Sequence, residues 1–262
     1  MRFMAIVGRL AFAAFAIALV LGLVAASGTH FHVWDYQTGV YGILPFCLYA
    51  GAAGIVLGAM WALSALFLNA STASGYGVTG LIGSLLVMAV PLYTMYLLWI
   101  VHAIPPIHDI STDTEHPPEF VALLKDRSGA PNPPGYDGPV LATTYDGKTR
   151  STSQLQKLFY SDIKTQGLLG MTPQAVFQRA LRAARAMGWR IVAAVPGKDG
   201  GRIEATHTSF FFGQTQDIEI RITRSGMGFL LDIRSKSRVG STDFGINAAN
   251  IRSYVKTFAS TG

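Results

Sequence analysis

Apolar positions run almost unbroken through residues 10–26, 43–68 and 78–101, and each stretch is long enough to cross a bilayer core as a helix. The second and third carry no ionised side chain. The pattern predicts three spans, at about 8–27, 43–68 and 78–101, in a membrane region covering residues 1–102. The first stretch has a second reading. Arg2 and Arg9 precede a short apolar run that ends in Val24, Ala25, Ala26 and Ser27, which also fits a secretory signal with a small-residue cleavage site.

Beyond residue 102 the periodicity changes. Residues 102–169 read as irregular, because Pro105-Pro106, Pro117-Pro118 and Pro133-Pro134 each oppose a helix. A short helix is allowed around 118–126, and the Pro- and Gly-rich stretch 127–139 reads as a flexible excursion. Regular structure is expected from Thr172, an N-cap residue followed by Pro173, to the stop at Gly188. Phe177, Ala180, Leu181 and Ala184 share one face of that helix, with Arg179, Arg182 and Arg185 away from it. Four strands are predicted at 189–195, 202–208, 216–223 and 229–236. In the last two, Ile218, Ile220, Ile222, Phe229, Leu231 and Ile233 alternate with Asp217, Glu219, Arg221, Asp232 and Arg234. This predicts one buried sheet face and one wet face. A last helix follows residues 241–243, with Ile251, Tyr254, Val255 and Phe258 as its stripe. The expected fold is therefore three transmembrane α-helices followed by a soluble α+β domain, residues 103–262, in the order helix, four-stranded antiparallel meander, helix.

Composition and charge add an orientation. No Lys or Arg occurs between Arg9 and Lys125, while the flank of the third stretch carries Asp109, Asp113, Glu115 and Glu119. With Arg2 and Arg9 inside, three spans leave residues 29–42 outside, 69–77 inside and the C-terminal domain outside the cytoplasm. Gly54 and Gly58, with Ala50 a turn earlier, form a small-residue stripe for close helix packing. Gly75, Gly77 and Gly80 match a dinucleotide-binding spacing, but they open a membrane helix after a polar loop, which is the wrong context. Trp34, Tyr36, Tyr41, Tyr93, Tyr96 and Trp99 form an expected aromatic belt.

The segments Ile110-Ser111-Thr112-Asp113, Met187-Gly188-Trp189, Gly201-Arg202-Ile203-Glu204-Ala205-Thr206, Phe211-Phe212-Gly213 and the eleven residues from Ser237 to Asn247 resemble the family called domain of unknown function 1499. The likeness covers about residues 105–260. It implies a bacterial-type envelope protein, attaches no known reaction and supplies no catalytic residues to carry over.

Metalloprotease, serine-hydrolase, nucleotide-loop and C-x-x-C signatures are absent, and the lone Cys47 lies within a span. No cofactor is implied, and the balance leans away from an enzyme. One polar cluster remains: Arg234, Lys236, Arg238, Ser241, Asp243, Asn247 and Arg252 gather where the last strand meets the last helix. Three cations at period two beside a helix N-terminus could hold a carboxylate or phosphate. Alternatively Asp109 and Asp113 pair with the arginines and pin the Pro-rich segment to the sheet, while Asp243 or Ser241 caps the helix. Among the histidines, His30, His32, His102 and His108 lie where the topology puts the outer surface, and they are the candidate metal ligands, with Asp35 and Asp109 as oxygen donors. His207 alternates with Ile203 and Ala205 as a packing residue.

The leading expectation is an inner-membrane protein that presents its periplasmic domain as a binding or assembly module to another envelope component, protein or anionic lipid or polymer. The basic stripe Arg179, Arg182, Arg185 would serve such contact, and outside the cytoplasm no nucleic acid is expected. The alternative is a small-anion receptor or enzyme that uses the Arg234–Asn247 cluster.

Overall fold

Helix α1 spans Arg2–His30 and helix α2 spans Leu44–Phe67, joined through a π-helical turn at Thr38–Ile43, in a computed structural model that describes residues 2–31, 33–35, 37–67, 96, 104–209 and 213–261. The chain divides into two compact units, one built on α1 and α2 and the other holding every described strand. Both helices are long and apolar enough to cross a membrane. The expected third span, 78–101, lies outside the described residues except for Tyr96.

The two apolar helices pack on each other through small residues. A side chain at Gly54 would stand 3.5 Å from the Ala14 methyl and from the Ala11 carbonyl oxygen, so glycine lets α2 approach the backbone of α1. The Cys47 thiol donates to Ala18 O across the same pair, at 3.1 Å. His30 closes α1 as a helical residue.

The second unit is a soluble β-rich domain with antiparallel sheets. Its strands are β1 (Asp109–Ser111), β2 (Leu141–Thr143), β3 (Thr149–Ser151), β4 (Gln166–Leu168), β5 (Arg190–Gly197), β6 (Gly200–Thr208), β7 (Thr215–Ser225) and β8 (Gly228–Ser237). Its helices are α3 (Thr152–Phe159), α4 (Pro173–Ala186) and α5 (Ile246–Ser260). Strands β5 to β8 pair antiparallel in sequence order. The sheet has six strands where the pattern predicts four. Along its outer edge β8 pairs with β1 through residues 234–236 and with β4 through residues 229–231.

The stretch expected to be irregular therefore holds two strands of the main sheet, the separate β2–β3 hairpin and a helix. Strands of three residues leave no periodicity to read. Strands β1 and β4 meet the donors and acceptors along the edge of β8 that would otherwise be unpaired. Gln156 of α3 completes that seal by exchanging hydrogen bonds with both backbone groups of Ser111. The helix expected at 118–126 is a single 3-10 turn, Ala122–Leu124.

One face of the sheet is apolar and carries α4 and α5. Ile203, Ala205, Ile218, Ile220, Leu231 and Ile233 are wholly buried against Val176, Phe177, Ala180 and Ala184 of α4 and Ile251 and Tyr254 of α5. Thr172 caps α4 by accepting from Ala175 N, and Gly188 stops it at a left-handed φ of 71°. Gly201 lets α4 settle, since a side chain there would meet the Phe177 ring. Arg179 is not a free surface cation. It donates to Phe258 O and Ala259 O in the last turn of α5, and lies over the Phe258 ring.

Candidate functional site

The charged face of the sheet, expected to be wet, is buried. Register sets side by side Thr206, Asp217, Lys236 and Asp109 in one row, and Glu204, Glu219, Arg234 and Ser111 in the next. Glu204, Asp217, Lys236 and Asp109 are fully buried, and Glu219 and Arg234 are 1% exposed. The cover is the Pro-rich segment between β1 and β2, a strap held by the very charges that the alternation pattern assigns to solvent.

Arg234 is the centre. Its Nε and Nη2 form a two-pronged pair with Asp109 at 2.9 and 2.8 Å, Nη2 also reaches the strap carbonyls of Pro134 and Gly135, and Nη1 donates to Pro118 O. Phe120 and Tyr136 lie against the guanidinium, with ring centroids 4.7 and 5.4 Å away. Lys236 Nζ sits 2.8 Å from Asp137 Oδ2 and 3.4 Å from Asp109 Oδ2, and donates to Gly135 O. His108 Nε2 reaches the same Asp137 oxygen at 2.9 Å, and its Nδ1 faces Ser241 O. Burial works to raise the Asp137 carboxyl, but the bonds from His108 and Lys236 hold it below its ordinary range.

A second knot lies beside the first. Asp217 accepts from Arg127 at 2.6 Å and takes two bonds of 2.9 Å from Arg238, whose donors are thereby directed back into the sheet. Arg127 also holds the strap through Asn132 O and stacks on Phe120. Burial lowers the Arg127 guanidinium, with Asp217 opposing that shift. Residues 127–139 are therefore tied down at many points, in place of the flexible excursion expected from their composition.

Glu204 is the third attachment. Its carboxylate accepts from the backbone N–H groups of Val121, Ala122 and Leu123 at 2.8–3.0 Å, and Arg202 Nε lies 3.1 Å away. The opposed Glu219 has no such donors, and its Oε2 lacks a hydrogen-bond partner among the described residues. Burial first, then the charge of Glu204, pushes the Glu219 carboxyl up to about 10, so it stays protonated at neutral pH.

The remaining residues of the expected cluster divide. Asp243 and Asn247 stand at the start of α5: the Asp243 carboxylate accepts from Gly245 N and Asn247 N, both at 2.8 Å, and Asn247 joins Ser235, Ser237 and His108 O. Burial raises Asp243, against the pull of those two backbone N–H groups. Ser241 contributes its carbonyl. Asp113 joins Arg221, which it shares with Asp232, and not Arg238. Arg252 lies apart, paired with Asp162 at the surface. Of the metal candidates, His32 and His102 lie outside the described residues, and His108 is engaged as above. Among the described residues no group of three or more His, Cys, Asp or Glu is placed to hold a metal ion.

Arg127, Asp137, Glu204, Asp217 and Glu219 escape a sequence reading of the site. The one signal of Glu204, Asp217 and Glu219 is alternation with apolar neighbours, which solvated strands share, and Arg127 and Asp137, in the Pro- and Gly-rich strap, leave none. The matched block begins with the Asp109 that Arg234 grips: residues 109–258 fit the family model described as protein of unknown function, DUF1499. The chain belongs to the DUF1499 family. The block takes in all eight strands, the strap and most of α5, so the ion layer lies within the DUF1499 domain. No curated protein matches the chain.

Proposed function

We propose that this DUF1499 protein sits in a bacterial inner membrane through three helices and holds its domain on the periplasmic side as a binding and assembly module for another envelope component. The two apolar helices and the acid-rich, base-free flank after residue 102 support the anchoring and its direction.

One observation carries the module reading: the cluster cations already have protein partners. Arg234 meets Asp109 and three carbonyls, Lys236 meets Asp109, Asp137 and Gly135 O, and Arg238 meets Asp217. A small-anion receptor needs donors left open to its ligand. With these engaged, recognition passes to the outer surface. There Met227 and Leu169 are 95% and 81% exposed, and Leu169 reaches over Gly228 beside Met227. Such an apolar tip fits contact with a protein partner.

Purification of the intact protein from its own membrane in mild detergent, followed by mass spectrometry of everything retained, tests the reading. A stoichiometric protein partner is expected, lost with Met227→Ser and Leu169→Ser and kept with Arg238→Ala. Recovery without a protein but with a small anion, and loss of that anion in Arg238→Ala, would replace the module by the receptor.

A further inference from the structure

A second polar group lies on the opposite, helix-covered face of the sheet. His207, Gln216 and Ser237 oppose one another across β6, β7 and β8, one step along from Ala205, Ile218 and Ser235. Directly opposed residues project to the same side, so these three extend the core face beyond its apolar part. Asn247 and Asn250 from the first turns of α5 are buried with them, Asn250 beside the His207 ring.

Half of this set is satisfied internally. Ser235 donates to Asn247 Oδ1 at 2.6 Å, and Asn247 Nδ2 donates to Ser237 Oγ and to His108 O. The other half is not. Gln216 is completely buried, yet neither its amide nitrogen nor its amide oxygen has a hydrogen-bond partner among the described residues. His207 and Asn250 lie against each other as a polar pair, with His207 Nδ1 and Asn250 Nδ2 each short of a well-aligned partner. Buried polar atoms without partners are uncommon, so a completely buried Gln216 with both amide atoms unmet, beside the His207–Asn250 pair, points to a missing occupant.

The chemistry of that occupant follows from the groups. Gln216 offers two N–H donors and one acceptor, Asn250 offers further donors, and His207 Nδ1 donates or accepts according to tautomer. Burial lowers the His207 basicity, against the contact with Asn250 that raises it. An anion would be set against Gln216 Oε1, and a cation against the Asn250 and Gln216 amides. We infer that this nook is a binding site for a neutral head group carrying a donor and an acceptor side by side, a carboxamide being the closest match. It is separate from the ion layer, which occupies the other face of the sheet, and does not depend on the module reading.

The test uses the full-length protein in detergent micelles, with ¹⁵N in the Asn and Gln side chains, titrated with acetamide and, separately, with acetate. Acetamide should shift the Gln216 and Asn250 amide resonances saturably while acetate leaves them in place. Gln216→Met, which removes two of the orphaned atoms at similar volume, should weaken the acetamide response of Asn250 tenfold or more. An unmoved Asn247 resonance in that variant would confirm that the fold persists. Equal responses to both probes, or no saturable shift with a long-lived water seen beside Gln216, would overturn the inference and leave a hydrated packing defect.

Discussion

The two faces of the DUF1499 sheet are sealed by opposite means. On one, Ile203, Ile218, Ile220, Leu231 and Ile233 meet two helices, and the contact is non-directional. On the other, Asp109, Arg234, Lys236, Asp217 and Glu204 meet a strap with little regular structure of its own, and each contact is aimed. An apolar face tolerates any cover of suitable shape. A charged face accepts only a cover that presents carbonyls to its cations and N–H groups to its carboxylates, as residues 118–135 do. The ion layer therefore specifies where the strap lies, while the apolar face supplies most of the driving force.

The contrast is broken most severely by removing one ion and keeping its partners. Arg234→Ala leaves Asp109 buried beside Lys236 and frees three strap carbonyls, and should destabilise the domain by about 3–5 kcal/mol. Urea unfolding of the full chain followed by Trp189, which stacks on Tyr254, measures it. Adding Asp109→Leu to Arg234→Met should recover much of that loss, because replacing both members of a buried pair is far less damaging than breaking it. Glu204→Gln should cost roughly 1–3 kcal/mol, since a neutral amide accepts less strongly from three backbone N–H groups and Arg202 is left facing it.

Glu219 sharpens the comparison with the opposite sign. Its folded-state pKa lies above the ordinary glutamate value, so folding takes up a proton and the domain loses stability as pH rises from about 4.5 towards about 10. Glu219→Gln should match the parent protein near pH 4 and exceed it by about 4–5 kcal/mol near pH 8. Unfolding midpoints at the two pH values decide this. Ile220→Val on the apolar face should cost only about 0.5–1.5 kcal/mol. Arg252→Ala, which breaks the surface pair with Asp162, should change stability by less than about 1 kcal/mol and lose even that in high salt.

What could be read in advance follows the range of each interaction. The α4 cap at Thr172, its stop at Gly188 and the alternation of β7 and β8 are local and legible. Strands β1 and β4 are not, because they depend on an edge of β8 more than sixty residues away in sequence. Helix α3 left a readable sign in Ser151 and Gln154, which form a capping box. The pairing of Arg234 with Asp109, and the pinning of the Pro-rich segment, agree with one of the two readings of the cluster. The partners of Arg238, Asp113 and Arg252 do not follow from composition, because each is fixed by register or by a loop. Above all, alternation gives the side of the sheet a residue faces and carries no information on what covers that side. Burial of the charged face needed the complementarity of Glu204 with N–H groups some eighty residues earlier.

The central claim is that the strap is a fixed layer, locked by buried charge. Native-state hydrogen exchange of the intact protein at Val121, Ala122 and Leu123, compared with Ile218 and Ile220 in the sheet, tests it most directly. The account predicts that the three strap amides exchange slowly, within about an order of magnitude of the sheet amides, and that Glu204→Gln releases them selectively. Exchange of those amides at the rate of an open chain, with the sheet still protected, would contradict it.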